Sequence, residues 1–262
     1  GGGGGGGGGA GGGGGGGGRG GLAAWALAGP VTAWPVGIGV GGLVAIVVAI
    51  TGGVWAAVEI GAGARKFPAF TWWVVNRLLY LAAIGSVQAF ALYYLQDVMR
   101  VAEPAKVTGN LMMVVGLCTV LAALPSGYLS DRFGRRLIVA LSGVVAAVGM
   151  LLILLATDIP MLLVAGCFIG LATGTFMATN WALGTDLVPA AESGRLLGVS
   201  NLAGAGAGIM GGGIGGPLAD YFNRLQPGLG YLVVFGIYGI CFLLSSLVLT
   251  QVKRQVVAVV AT

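Results

Sequence analysis

The chain has 262 residues, of which 57% are hydrophobic and 8% charged. Because a soluble domain carries about 25% charged residues, this composition excludes an ordinary water-soluble globular protein and indicates a protein surrounded by lipid. The net charge of +5 does not indicate nucleic acid as a partner, since the basic residues are spread over short segments between apolar runs and form no basic face.

The residue types present do not indicate catalytic or metal chemistry. The three cysteines lie singly in apolar runs and lack the short spacing of a zinc site or a disulfide framework. The chain has no histidine, which is the commonest metal ligand and general base. We therefore expect no metal, no cofactor and no enzymatic activity.

In chain order, the first segments are a glycine-rich tract at 1–21 and an apolar segment at 22–58. The tract has no side chains to bury and much backbone entropy to lose, so it is left out of the fold prediction. Residues 36–58 carry no charge and exceed the roughly 20 residues that a helix needs to cross a membrane. They predict a first membrane-spanning helix, and residues 59–71 predict a cytoplasmic linker.

Six further apolar stretches predict membrane-spanning helices between residues 72 and 254. Each is long enough, or nearly so, to cross roughly 30 Å of hydrocarbon as a helix. The predicted fold is therefore an all-α, polytopic transmembrane bundle, and residues 255–262 form a tail. The six predicted helices lie at 72–95, 107–126, 137–157, 161–185, 196–218 and 229–251.

The segment at 126–136 concentrates charge between two of these helices. Its sequence is Ser-Gly-Tyr-Leu-Ser-Asp-Arg-Phe-Gly-Arg-Arg, and such a cluster cannot lie in hydrocarbon. We predict a loop in which Gly127 and Gly134 allow a sharp turn and close approach. The charged residues of this motif are Asp131, Arg132, Arg135 and Arg136.

The basic residues predict the orientation of the helices. If residues 126–136 face the cytoplasm, alternation places nine of the thirteen lysines and arginines on that side and three on the other, with Arg19 unassigned. Cytoplasmic loops carry such an excess. We therefore expect an integral, multi-pass protein of the plasma or bacterial inner membrane with a cytoplasmic C-terminus.

The spacing G-x-x-x-D-R-x-G-R-R at 127–136 resembles the loop signature of the major facilitator superfamily of secondary transporters. Residues 180–189, Asn-Trp-Ala-Leu-Gly-Thr-Asp-Leu-Val-Pro, are similar to a stretch of its glycoside and sugar–cation symporters. Residues 188–195 resemble the loop that follows the fifth helix of a half in sugar-carrying members. The resemblance implies a C-terminal six-helix half at 72–254, preceded by one helix of the other half.

The same resemblance implies secondary active transport of a small organic solute, such as a sugar, by alternating access. Its partners would be the lipid bilayer, the solute and an N-terminal six-helix half. Two alternatives stay open: an efflux carrier of amphiphilic compounds, and an inactive truncation, scaffold or half-carrier that needs a partner half.

The resemblance also implies an ion-pair latch on the cytoplasmic side. Asp131, Arg135 and Arg136 would pair with Glu192 and Arg195 on the next cytoplasmic loop. Pairs of arginine and carboxylate are directional, and they can bias a two-state equilibrium. The alternative is that these charges are solvated and only set the topology.

Polar side chains inside the predicted spans are candidates for a solute site, because such groups usually face protein or a water-filled cavity. Gln88 is predicted to face that cavity, with a helix–helix hydrogen bond as the alternative. Asn180 both donates and accepts hydrogen bonds, and Trp181 beside it offers a stacking surface. Asn201 is a further candidate, whereas Arg77 is interpreted as a snorkelling anchor at the cytoplasmic end.

The predicted helix at 196–218 is rich in glycine at four-residue spacing. Small residues at such spacing let membrane helices approach closely, so we predict helix packing and an easily bent helix. A phosphate-binding loop is not predicted, because residues 211–216 do not follow a strand. The glycines of this stripe are Gly204, Gly208, Gly212 and Gly216.

Overall fold

A computed structural model describes residues 68–188 and 193–252. Within these ranges the regular secondary structure is helical, which confirms the predicted all-α class. The predictions for 1–21, for 22–58 with its helix at 36–58, and for 255–262 fall outside the described residues. The helices are α1 (Pro68–Asp97), α2 (Pro104–Phe133), α3 (Arg135–Leu155), α4 (Ile159–Asp186), α5 (Ser193–Gly208), a π-helical segment (Ile209–Ile214), α6 (Gly215–Leu225), α7 (Leu229–Val248) and a 3₁₀ turn (Leu249–Gln251).

Five helices in the described ranges are long and apolar enough to cross a membrane, namely α1 to α4 and α7 with its 3₁₀ turn. The stretch predicted as one helix at 196–218 instead consists of α5, the π-helical segment and α6 in succession. A π-helical turn is a local irregularity in an α-helix, and the expected ease of bending stays a prediction. The assignment to a six-helix half stays a prediction.

Local signals explain where several helices begin. The α1 helix begins at Pro68, so residues 68–71 belong to the helix and not to the predicted linker at 59–71. Proline suits this position because the first N–H groups of a helix have no acceptor within it. Asp158 caps α4, and its Oδ1 accepts a hydrogen bond from the Met161 N–H at 2.8 Å.

The prediction of a loop at 126–136 is wrong, because α2 continues to Phe133. The chain turns at a single residue, Gly134, whose φ of +97° is costly for any residue with a Cβ. At 30 residues, α2 is longer than the roughly 20 residues that hydrocarbon requires. The charged motif therefore lies on a helical extension, and Gly127 has no side chain or neighbouring helix within 4 Å of an added Cβ among the described residues.

Glycines on α4 allow that helix to pack tightly against α2. A Cβ added at Gly170 would lie 2.5 Å from the Val115 carbonyl oxygen, and one added at Gly174 would overlap the Thr119 carbonyl. Thr119 also donates its hydroxyl to the Gly170 carbonyl at 3.2 Å. Helices in lipid associate through such close backbone approach.

Of the described glycines in the predicted stripe, one lies near α1. An added Cβ would have only Leu81 within 4 Å at Gly204 and nothing among the described residues at Gly208 and Gly216, and Gly212 lies outside the residues whose surroundings are described. Gly211 and Gly215 also face α1, against Ala82 and Phe90.

Candidate functional site

Polar side chains gather in two places, which we name by position. The motif-end cluster lies where α2 ends and α3 begins, and the buried amide cluster lies between α1, α4 and α7. The motif-end cluster consists of Asp131, Arg135, Arg136 and Asp186. The buried amide cluster consists of Trp73, Asn76, Arg77 and Asn180.

In the motif-end cluster, the two arginines at the start of α3 contact the C-terminal ends of other helices. Arg135 Nη1 donates to Asp186 Oδ1 at 2.8 Å and to the Ala182 carbonyl at 3.0 Å, both on α4. Arg136 Nη2 donates to the Thr250 carbonyl after α7 at 2.9 Å. Cations are favoured there, because the helix dipole places partial negative charge at its C-terminal end.

The closer carboxylate partner of Arg135 is Asp186, which sequence analysis did not single out. Asp131 Oδ1 lies 3.5 Å from Arg135 Nη2, and its side chain is 70% exposed against 54% for Asp186. The available signal was electrostatic, since a carboxylate in the last turn of a helix is unfavourable unless a cation meets it. Arg132 stacks its guanidinium over the neighbouring Phe133 ring at 5.6 Å.

The other half of the predicted latch lies outside the described residues. Residues 189–192, which include Glu192, are not described, and neither is the side chain of Arg195. Pairing of these two residues with Asp131, Arg135 or Arg136 stays a prediction.

The buried amide cluster joins three helices through neutral side chains. Asn180 Nδ2 on α4 donates to Asn76 Oδ1 on α1 at 2.9 Å, and Asn76 Nδ2 donates to the Ser245 carbonyl on α7 at 2.8 Å. Both asparagines are 0% exposed. Hydrogen bonds between membrane helices contribute about 0.6 kcal/mol each on average, and up to about 1.7 kcal/mol.

Trp73 completes this cluster from α1. Its indole N–H donates to the Asn180 carbonyl at 2.9 Å, and the ring is fully buried. Gly184, one turn beyond Asn180, makes room for the ring, because an added Cβ there would overlap it. The position of Asn180 therefore depends on a glycine and a tryptophan that the sequence places more than 100 residues apart.

Arg77 is partly buried and contacts α4 and two tryptophan rings, and its interpretation as a snorkelling anchor stays a prediction. Its Nη1 donates to Asn180 Oδ1 at 3.1 Å. The guanidinium also lies 5.0 Å from the centre of the Trp181 ring and 5.9 Å from that of Trp73, within cation–π range. The missed signal was its position inside an apolar span, where an ionisable residue marks a candidate functional site.

The other predicted solute contacts have different surroundings. Trp181 is 37% exposed, so one face of the arginine site is open. Asn180 is fully enclosed, and both ends of its amide have protein partners. Gln88 on α1 and Asn201 on α5 are exposed, and the structure does not bring them into the buried amide cluster.

Comparison with known proteins identifies the class to which these helices belong. Residues 78–259 match the family model of the Major Facilitator Superfamily, which is more than half of the chain. The chain therefore belongs to this superfamily, and together with its five long apolar helices this makes it an integral, multi-pass membrane protein.

Individual relatives match over shorter regions. The multidrug resistance protein MdtG of Salmonella choleraesuis (strain SC-B67) is 30% identical over 138 residues, which is 53% of this chain and 33% of the relative. The minor myo-inositol transporter IolF of Bacillus subtilis (strain 168) is 30% identical over 94 residues, which is 36% of this chain and 22% of the relative. The matched region thus spans about a third of the length of MdtG and less than a quarter of the length of IolF.

A solved structure shares the fold. The crystal structure of an auto-inhibited peptide transporter of the POT family superposes with a TM-score of 0.56, over 72% of this chain and 37% of the transporter. The sequences are 14% identical, so this likeness concerns the fold alone.

Proposed function

We propose that this protein is part of a secondary transporter that moves a small organic solute across the cell membrane by alternating access. The family match over residues 78–259 carries the proposal. The buried amide cluster supports it, because polar groups inside a membrane-spanning bundle mark solute and ion pathways. The relative IolF is named for myo-inositol, which favours a sugar or polyol, as does the symporter-like stretch at 180–189.

Efflux of amphiphilic compounds is the second candidate. Relatives named as multidrug resistance proteins in Salmonella and in Proteus mirabilis match a longer region than IolF does. In either case we place a second six-helix body beside the described helices, since the matched region spans about a third of these relatives.

In this proposal the motif-end cluster faces the cytoplasm, as does the C-terminus, and acts as a latch. Arg135 joins α3 to α4 through Asp186, and Arg136 joins α3 to the turn after α7. Opening that side would break these contacts. Asp131, Glu192 and Arg195 would complete the latch from neighbouring segments.

Reconstituted vesicles test the transport proposal. Uptake of labelled glucose and myo-inositol, and efflux of an amphiphilic dye, would be measured with the full chain alone and with a co-expressed six-helix half. Saturable flux of one solute class above protein-free vesicles is expected. Absence of flux in both preparations, with the protein folded, would reject transport in favour of a membrane scaffold.

Labelling of a cysteine introduced at Gln251 tests the latch, in a background where the native cysteines are replaced by alanine. Asp186→Asn and Asp131→Asn should raise its rate of reaction with a water-soluble thiol reagent. Glu103→Gln is the control, because Glu103 pairs only with Lys106 among the described residues. Equal rates in all variants would reject the latch.

A further inference from the structure

Arg77 carries a positive charge that no described carboxylate balances. The ion pairs among the described residues join Lys106 to Glu103 and Arg135 to Asp131 and Asp186. The hydrogen bond described for Arg77 goes to the neutral amide of Asn180, and its buried Nε has no partner among the described residues. A guanidinium has five N–H donors, so most of its capacity is unused there.

The surroundings of Arg77 make this charge costly. Its Nε is buried, and its guanidinium lies near the rings of Trp73 and Trp181 and the amide of Asn180. A buried polar group without a hydrogen-bond partner carries a desolvation cost that no contact offsets.

The surroundings hold the guanidinium in place without neutralising it. Asn180 accepts a hydrogen bond from the Arg77 guanidinium and donates one to Asn76. Asn76 in turn donates to the Ser245 carbonyl, so that both amides are held in place. Asparagine at 180, where aspartate would have given an internal ion pair with Arg77, leaves the positive charge available. The two indole rings favour the cation but supply no counter-charge.

We propose that Arg77 binds the carboxylate of a small organic anion, and that the exposed face of Trp181 contacts the body of the same molecule. Arginine matches carboxylate geometry through paired N–H donors. This inference rests on the proposed transport function only in taking that anion to be the carried solute. A sugar acid would satisfy both the proposed sugar transport and the proposed carboxylate site.

Binding to the full chain in phosphatidylcholine nanodiscs tests the proposal, with tryptophan fluorescence as the readout. Each carboxylate is titrated against its neutral counterpart at constant ionic strength: gluconate against glucose, and benzoate against benzyl alcohol. At least one carboxylate should bind about tenfold or more tightly than its counterpart, since a charge-assisted hydrogen bond is gained. Equal affinities within both pairs, or no carboxylate binding, would overturn the proposal.

Variants at the site sharpen the test. Arg77→Gln should weaken carboxylate binding about tenfold or more, with an intermediate effect for Arg77→Lys, which keeps the charge but not the planar fork. Arg224→Gln, an exposed arginine at the end of α6, is the matched control and should bind as the wild type does. Unchanged binding in Arg77→Gln would overturn the proposal.

Asn180→Asp separates ligand binding from a purely structural role of Arg77, and it is available if Arg77→Gln fails to fold. The new carboxylate would lie where Asn180 Oδ1 now accepts from Arg77 at 3.1 Å. It should therefore occupy the guanidinium and abolish binding of the external carboxylate. Its other oxygen replaces the Nδ2 that donates to Asn76 Oδ1, so thermal stability should fall. Full carboxylate binding in this variant would overturn the proposal.

Other sources of negative charge give distinct results. A fluorescence change on adding phosphatidylglycerol to the nanodiscs, with none from any carboxylate, would assign Arg77 to a lipid headgroup instead. If carboxylate binding appears only in a Glu59→Gln, Glu192→Gln double variant, the partner of Arg77 is one of these glutamates and not an external anion.

Failure of this inference is distinguishable from failure of the transport proposal. Flux of a neutral solute with no carboxylate preference would reject the anion site alone. Carboxylate binding without flux of the bound carboxylate in either vesicle preparation would reject transport and leave Arg77 as an anion site.

Discussion

The motif-end cluster and the buried amide cluster differ in exposure to solvent and in the charge of the groups that make their contacts. At the motif end, charged side chains meet at a partly exposed surface, where an ion pair contributes about 0–1 kcal/mol. Between α1, α4 and α7, neutral amides with no exposure hold three helices, and loss of one partner leaves a buried polar group that costs about 1–3 kcal/mol. The charged cluster therefore lies at the ends of helices, whereas the less conspicuous amides lie where the helices join.

A pair of glycine-to-alanine variants tests this contrast with the largest expected effect. Gly184→Ala places a methyl group against the buried Trp73 ring and should destabilise the bundle by about 1–3 kcal/mol through overpacking. Gly127→Ala, inside the charged motif, meets nothing among the described residues and should stabilise α2 by about 0.4–1 kcal/mol. Thermal unfolding in detergent measures both.

If Gly184→Ala unfolds at the wild-type temperature, the α1–α4 seam is looser than the structure indicates. The region of the buried amide cluster would then not contribute more to thermal stability than the charged motif does. A large loss in Gly127→Ala would instead mean that another body packs against that part of α2.

Removal of the central amide is the next largest test. Asn180→Leu keeps the number and branching of the side-chain heavy atoms. It leaves Asn76 Oδ1 without its donor and Arg77 Nη1 without its acceptor, at a cost of about 1–3 kcal/mol. Asn201→Leu is the control, because Asn201 is exposed on α5. Comparable unfolding temperatures for the two variants would show that the amides do not join the helices.

The lengths of the helices were largely predictable, and the turn at the motif was not. Apolar runs predicted α3, α4 and α7 to within a few residues, because hydrocarbon thickness imposes that length. The same reasoning placed the end of α2 at residue 126, since it counts only apolar residues. A helix continues into water wherever its backbone bonds remain satisfied, and here only the positive φ of Gly134 ends it.

The sequence identified some residues of the candidate site but not the contacts that join them across helices. Asn180 was a candidate because an amide both donates and accepts hydrogen bonds, and Trp181 was a candidate because its ring offers a stacking surface. Their contact with Asn76 and Arg77 depends on the rotation and relative height of α1 and α4, and the Asn76–Asn180 bond joins positions 104 residues apart. Periodicity within one helix does not determine either quantity, which is why the contact between Arg77 and Asn180 was not predicted.

The smallest expected effect lies at the motif end, where the two carboxylates of Arg135 can be compared directly. Asp186→Asn removes the 2.8 Å partner and Asp131→Asn the 3.5 Å partner, so the first should cost more, with both at or below about 1 kcal/mol. Because salt screens partly exposed charges over about 3 Å at 1 M ionic strength, the difference should shrink in concentrated sodium chloride. The loss in Asn180→Leu should persist there, since neutral amides are not screened. Equal salt sensitivity of the Asp186 and Asn180 variants would mean that charge, and not burial, holds both regions together.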